Sequence, residues 1–382
     1  MKILYAIQGT GNGHLARAIE IIPHLKTLAD VDVLVSGVQG DLKLPFDVEY
    51  QLHGLSFIMG NKGGINYRKT VSQMRPIRFI ADLVKLQVHN YDLVFTDFEP
   101  VSAWACLLKG KRSIGVSHQN AVLHRLAPRP DKTDWGGTLI LKLDAPASVN
   151  YGFHFKDLDE NHFSPIIRSG IRNAKPQNKG HYTVYLPAYS DQKIAKILAP
   201  FKQIRWEVFS KKCAEAYQIG NISFQPVSLE KFTTSFVNCT GILTTAGFET
   251  PSEALFMGKK LCVVPMKNQY EQLCNATFLE YMGVKVIHRL KKDKNVLDEW
   301  IESSSVIKIN YPDQTRDLFQ QIVAKHHTAS SWSILQWFQS NFVIKTLQFK
   351  AISLRGGRLI SLSFREKNDS VVELVKRIFG RN

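Results

Sequence analysis

Short apolar runs, each followed by a glycine-rich or polar turn and then a stretch of helical periodicity, recur along the chain. Runs too continuous to alternate are the pattern of strands buried on both faces of a parallel sheet. The first lies at residues 2–7 and turns through Gly9-Thr10-Gly11-Asn12-Gly13-His14 into a helix expected over 15–28, with a second strand at 31–35. Further strands are expected at 91–97 and 112–117, with a helix over 71–88 before them. The polar segment 173–180 carries glycine and proline without periodicity and reads as a linker. A second series starts at 181–186 and continues at 204–209, 222–224, 241–244, 261–264 and 284–287, with a helix over 229–236.

This pattern predicts an α/β chain of two doubly wound, Rossmann-like domains, 1–166 and 182–329, joined by a linker at 167–181. Beyond them, 330–342 is expected to form a closing helix and 346–364 a β-hairpin around Arg355-Gly356-Gly357-Arg358. Residues 369–379 look amphipathic, and the whole extension 330–382 is rich in lysine and arginine.

At 382 residues, with 44% hydrophobic and 21% charged residues, the chain has room for two ordinary cores. No apolar run approaches the roughly 18 to 20 residues of a membrane span. The start, Met1-Lys2-Ile3-Leu4-Tyr5-Ala6-Ile7-Gln8, is too short and too weakly charged for a secretory signal, so a cytoplasmic location is expected. Five scattered cysteines without a Cys-x-x-Cys fit a reducing compartment and argue against zinc. The net charge of +16 changes the picture more, because it favours an anionic partner. The basic residues recur as patches, and no nucleic-acid reading motif accompanies them, so nucleic acid is not an expected partner. The basic tail is either a solvated packing extension or a dock for the anionic inner face of a membrane.

The candidate chemistry centres on the strand at 241–244 and the turn after it. Gly247 is expected to turn into a helix with Thr250 as N-cap, Pro251 in the first helical position and Glu253 closing a capping box. A helix start leaves backbone N–H groups unpaired at the positive end of the dipole, where a diphosphate would fit, although any α/β turn needs such a cap. In the first half, Gly9, Gly11 and Gly13 form a glycine-rich loop and His14 opens the helix. A dinucleotide site fails here, because His14 stands where the third glycine belongs and the second strand ends in Ser36-Gly37 without an acidic residue. His14 is either a loop or capping histidine or a general base. Asp97, at the end of its strand, either hydrogen-bonds the second nitrogen of His14 or caps the helix after Pro100. His118, Gln119 and Asn120 close the next strand on the same side and are candidate acceptor contacts; Gly60-Asn61-Lys62-Gly63-Gly64 reads as a loop that could admit acceptor.

The run from Thr245 through Gly247, Thr250, Glu253, Glu271-Gln272 and Asn275 to Gly283 resembles the donor signature of inverting GT-B glycosyltransferases. It is similar to that of UDP-glycosyltransferases and of the peptidoglycan N-acetylglucosaminyltransferase. The opening Gly-Asn-Gly-His-Leu-Ala-Arg is also similar to that of a largely uncharacterised group of bacterial and archaeal glycosyltransferase-like proteins. The resemblance implies two domains facing a cleft, and a nucleotide-diphosphate sugar, UDP-linked, as donor. It implies that Gly247 and Thr250 face the diphosphate, that Thr245 stands where many relatives carry a histidine, that Glu253 takes the ribose hydroxyls, and that Glu271 and Gln272 hold the sugar. It implies His14 as base toward an acceptor hydroxyl, lipid-linked or on a small glycan, with no cofactor and no metal. Glu249, beside the proposed anion, departs from the neutral residue usual there. Two alternatives remain: a nucleotide-sugar 2-epimerase of the same fold, and a catalytically silent protein that binds sugar nucleotides or polyanions.

Overall fold

The computed structural model describes the chain except for residues 38–39, 41, 57, 59, 61–62, 133, 291–292, 328–347, 355–356 and 364–382. Its first part runs β1 (Lys2–Gln8), α1 (Asn12–Lys26), β2 (Asp30–Ser36), β3 (Tyr50–Leu52), α2 (Tyr67–Gln73), α3 (Pro76–Lys85), β4 (Leu93–Asp97), α4 (Pro100–Leu108), β5 (Ile114–Ser117), α5 (Gln119–Val122), α6 (Trp135–Leu143), β6 (Val149–Phe153) and β7 (His162–Phe163). The short α7 (Ser169–Arg172) lies in the segment expected as linker. The second part runs β8 (His181–Tyr185), α8 (Asp191–Leu198), β9 (Arg205–Ser210), β10 (Tyr217–Ile219), β11 (Ile222–Pro226), α9 (Leu229–Asn238), β12 (Gly241–Thr245), α10 (Glu249–Met257), β13 (Lys260–Val264), α11 (Tyr270–Tyr281), β14 (Lys285–Val286), α12 (Lys294–Glu302) and α13 (Thr315–His326).

Two seven-stranded sheets result. The first, ordered β3-β2-β1-β4-β5-β6-β7, is parallel throughout; the second, ordered β10-β11-β9-β8-β12-β13-β14, is parallel apart from the β10–β11 edge. Strand β1 shows why the pattern reads as continuous. Ile3, Tyr5 and Ile7 enter the core under α1 with Leu15, Ile21 and Leu25, while Leu4 and Ala6 enter the opposite layer with Val94, Val101 and Cys106. In each sheet the strand order reverses beside the first strand, between β1 and β4 and between β8 and β12. Such reversals open a crevice at the carboxyl ends of the strands, so the loops after β1, β4 and β12 are placed for ligand by topology alone.

Several local expectations change. The helix expected over 71–88 divides, because Met74 and Arg75 ahead of Pro76 are held out of α geometry and the proline then opens α3. Helix α10 starts at Glu249, with Phe248 as N-cap and no side-chain cap, so Thr250 is already inside its first turn. Helix α13 packs on α1 and sets His326 Nε2 2.9 Å from the Tyr151 hydroxyl. Residues 330–342 and 369–379 lie outside the described residues. The expected hairpin is present as β15 (Gln348–Leu354) and β16 (Gly357–Ser363), antiparallel, within a separate compact unit that begins at Trp332.

Candidate active site

The glycine-rich loop leaves β1 at the reversal of the first sheet. Gly9 packs against the backbone of Ser36, and Gly11 has φ 108°, a conformation that a side chain resists. Gly13 meets the Glu249 carboxylate: a Cβ there would lie 2.5 Å from its Oε2. His14 follows in the first turn of α1, and its ring stacks at 6.5 Å over Phe98, itself held at φ 55°.

Beneath the histidine, Asp97 closes β4 with no exposure to solvent, and His14 Nδ1 lies 2.7 Å from its Oδ1. A carboxylate against Nδ1 favours the tautomer protonated there and leaves Nε2 as an acceptor toward the cavity. The competing capping role falls to Glu99, which accepts from the backbone N–H groups of Val101 and Ser102 at 2.7 and 2.6 Å. Arg17, one turn along α1 from His14, donates to both oxygens of Asp97 and to Glu249. Burial alone would raise the Asp97 carboxyl, but the Arg17 guanidinium and His14 hold it below the usual range. Burial likewise opposes charge on Arg17, and Asp97 and Glu249 outweigh it.

Across the gap stands the second half. Thr245, Gly247, Thr250, Glu253, Glu271 and Gln272 line one cavity of about 730 Å³ together with Gly11, Gly13, His14, His118 and Gln119. Asp97 and Gly9 sit behind that lining. The first hydrogen bond of α10 runs from Ser252 N–H to Phe248 O at 3.1 Å, so the N–H groups of Glu249 and Thr250 come before it, at the positive end of the helix. Glu253 closes no capping box. Arg168 grips it instead, with Nε 2.5 Å from Oε1 and Nη2 2.7 Å from Oε2, a bidentate pair reaching back from the segment after β7. Glu271 accepts from Gln119 Nε2 at 3.1 Å, and that nitrogen is also 3.4 Å from His14 Nε2. Burial raises the Glu271 carboxyl above its ordinary value. Gln272 turns inward and accepts from Met266 N–H at 3.0 Å, bracing the loop after β13.

Three acids of the second half thus each meet a partner from earlier in the chain: Glu249 with Arg17, Glu253 with Arg168 and Glu271 with Gln119. His118 adds another such link. Its ring stacks on Phe248 at 3.9 Å, Nδ1 lies 2.7 Å from Phe153 O and Nε2 2.6 Å from Asn275 Oδ1, so its nitrogens are already engaged within the protein. Burial pushes it down to about 4. The loop expected to admit acceptor is hooked across as well, through Gly63 N–H to Ala188 O at 2.8 Å and a parallel bridge between Gly64 and Lys267.

Two residues of this site carried no expected role, Arg17 and Arg168. The signal for Arg17 was its spacing, since a residue three along a helix shares the face of His14. Arg168 had none, because the pairing with Glu253 spans the two sheets.

The sequence holds two Asp-x-Asp pairs, Asp30/Asp32 and Asp157/Asp159, and neither lines the cavity. Asp32 meets Lys2 and Tyr91, and Asp159 meets His124 and His162. Among the described residues, His124, Asp159 and His162 are the group whose ligand atoms lie close enough to share a cation, and they too stand outside the cavity lining.

Two Rossmann-like sheets whose reversal points line one cavity, with a histidine–aspartate pair on one wall and a helix N-terminus on the other, form the arrangement of the GT-B fold. The chain belongs to glycosyl transferase family 1, whose profile matches residues 1–304. No curated protein matches its sequence. Among solved structures it is similar to the glycotransferase of kitacinnamycin, at 12% identity over 85% of this chain and 95% of that one, with a TM-score of 0.51. It is also similar to Arabidopsis thaliana UGT89C1 complexed with UDP, at 10% identity, 89% and 98% coverage and a TM-score of 0.50. MurG of Acinetobacter baumannii is 14% identical, with 90% and 99% coverage and a TM-score of 0.47. At such identities the likeness speaks for the fold alone.

Proposed function

We propose that the chain moves a sugar from a nucleoside-diphosphate donor, UDP-linked, to an acceptor hydroxyl, with inversion at the anomeric carbon and without a metal ion on the diphosphate. The observation that carries this reading is His14, held through Nδ1 by buried Asp97 with its other nitrogen toward the cavity that the N-terminus of α10 also lines. The acceptor hydroxyl lies against Nε2, which takes its proton as the oxygen attacks the anomeric carbon. Asp97 stabilises the imidazolium that forms. The carbon–oxygen bond to the diphosphate breaks on the opposite face, and the electron pair leaves with the diphosphate. The free N–H groups of Glu249 and Thr250, the dipole of α10 and the Thr250 hydroxyl receive that charge.

Metal independence is supported by the state of the acids. Glu249, Glu253 and Asp97 are each paired to an arginine, and the Asp-x-Asp pairs lie elsewhere. The resemblance of the run from Thr245 to Gly283 to the donor signature of UDP-glycosyltransferases supports a uridine nucleotide as donor. A thermal-shift screen across nucleotide sugars tests the reading, because a ligand bound only by the folded state raises its melting temperature. A UDP-sugar is expected to raise it more than UMP or free sugar does. A screen in which no nucleotide sugar moves it overturns the proposal. A donor rearranged in the absence of acceptor would replace transfer by 2-epimerisation.

A further inference from the structure

Away from the cavity, the segment after α5 meets the turn between β6 and β7 through three side chains that can ligate a metal. His124 Nε2 lies 3.0 Å from Asp159 Oδ2, and His162 Nδ1 lies 2.5 Å from Asp159 Oδ1. The two imidazole rings are 4.5 Å apart, and one ligand atom from each side chain falls within 4.8 Å of the others. Ligands around a tetrahedral zinc ion stand about 3.3 Å apart when the bonds are near 2.0 Å, so small side-chain rotations bring this set onto one ion. Their surroundings hold the three in place. Asp159 Oδ1 also accepts from Asn161 N–H at 2.9 Å, and His162 N–H donates to Asp159 O at 3.1 Å. Gly152 leaves the room that the His162 ring fills, since a Cβ there would lie 2.5 Å from its Cδ2. The side chains of His124 and His162 are 15% and 10% exposed, while that of Asp159 is 41% exposed. Protein thus surrounds the nitrogens and solvent reaches the carboxylate, which leaves a further coordination position to water.

We infer that His124, Asp159 and His162 form a site for a divalent transition-metal ion such as zinc. Two imidazoles and one carboxylate suit that class of ion, whereas magnesium and calcium take sets of oxygen ligands. The ion replaces the proton in each contact between ring and carboxylate. The Leu126 N–H, 3.3 Å from His124 Nδ1, passes to water as that nitrogen takes up the ring proton, and Leu126 is 54% exposed. The cysteines, whose spacing argued against zinc, take no part. The effect of the ion follows from where its ligands stand. They close the chain between 124 and 162, which holds α6, a helix none of whose residues is buried and whose Gly136, Gly137 and Ile140 line the cavity. A metal clip on so long a segment restricts the open chain and steadies that wall. The site is separate from the diphosphate, which the proposed transfer handles without a metal.

The test reads metal binding, not sugar transfer. The full chain is stripped with a chelator, dialysed against micromolar zinc or magnesium, and the bound metal is counted. The parent is expected to retain about one zinc ion through this site and no magnesium there. H124A/H162A is expected to lose that ion, with affinity down by more than the roughly 10- to 100-fold that loss of a supporting residue costs. D159N keeps the shape of the carboxylate and its turn contacts, so its loss of zinc affinity reports ligation even if the double variant folds poorly. Zinc is expected to raise the melting temperature of the parent and to leave that of D159N nearly unmoved. A parent chain that retains no zinc overturns the proposal. So does a double variant or D159N that retains as much zinc as the parent.

Discussion

Arg17→Met removes the guanidinium that joins the His14–Asp97 pair to Glu249 on the opposite wall. Arg17 is 3% exposed and Asp97 is fully buried, so the substitution strands a carboxylate that keeps its contact with His14 but loses its cation. Methionine retains most of the volume and the packing on Phe153, whose ring centre lies 5.5 Å from the Arg17 guanidinium carbon, so the loss isolates charge rather than shape. Breaking a buried pair from one side costs about 3–5 kcal/mol. If the first half unfolds as a unit, the melting temperature falls by roughly 6–20 °C. Adding Asp97→Asn to Arg17→Met removes the stranded charge while an amide still reaches His14, and most of the loss should return. The assay is thermal denaturation of the parent, the single variants and the double variant at neutral pH. A single variant within about 1 kcal/mol of the parent, or a double variant no better than Arg17→Met, would refute the dependence of Asp97 on Arg17.

His14→Ala should lower transfer by about 10²- to 10⁴-fold while calorimetry shows donor affinity nearly intact; near-normal turnover removes it from the mechanism. Glu253→Ala should weaken donor binding, and unchanged affinity would confine that carboxylate to its pairing with Arg168. Burial depresses His118 to about 4 and His154 to about 3, so each unfolded ring gains a proton below about pH 6.5 while the folded ring does not. Their contribution to stability is therefore complete above that pH and lost progressively as pH falls toward 4. Asp144, raised to about 7 by burial and by Glu99, contributes with the opposite sign. Proton-resolved NMR should find His118 still neutral at pH 5, and a ring titrating near 6.5 would contradict its buried, bridging placement.

Much of the frame was legible along the chain because its signals are local. Continuous apolar strands, turn glycines and the spacing from His14 to the helix after it belong to neighbouring residues, and they were enough to expect two parallel sheets and to single out the loops after β1 and β12. The pairing of β1 with β4, which sets Asp97 under His14, could only be offered beside a capping role, since nothing nearby in sequence chooses between them. Local signals also misled: Thr250 and Glu253 have the letters of a capping box, but a buried carboxylate meets a stronger partner in the guanidinium of Arg168 than in one backbone N–H. The sequence by itself determined the strands, the turns and the set of chemical groups. Tertiary structure alone decided which acid meets which base across the cleft, because those contacts join residues far apart in the chain and their energies depend on burial that no local pattern records.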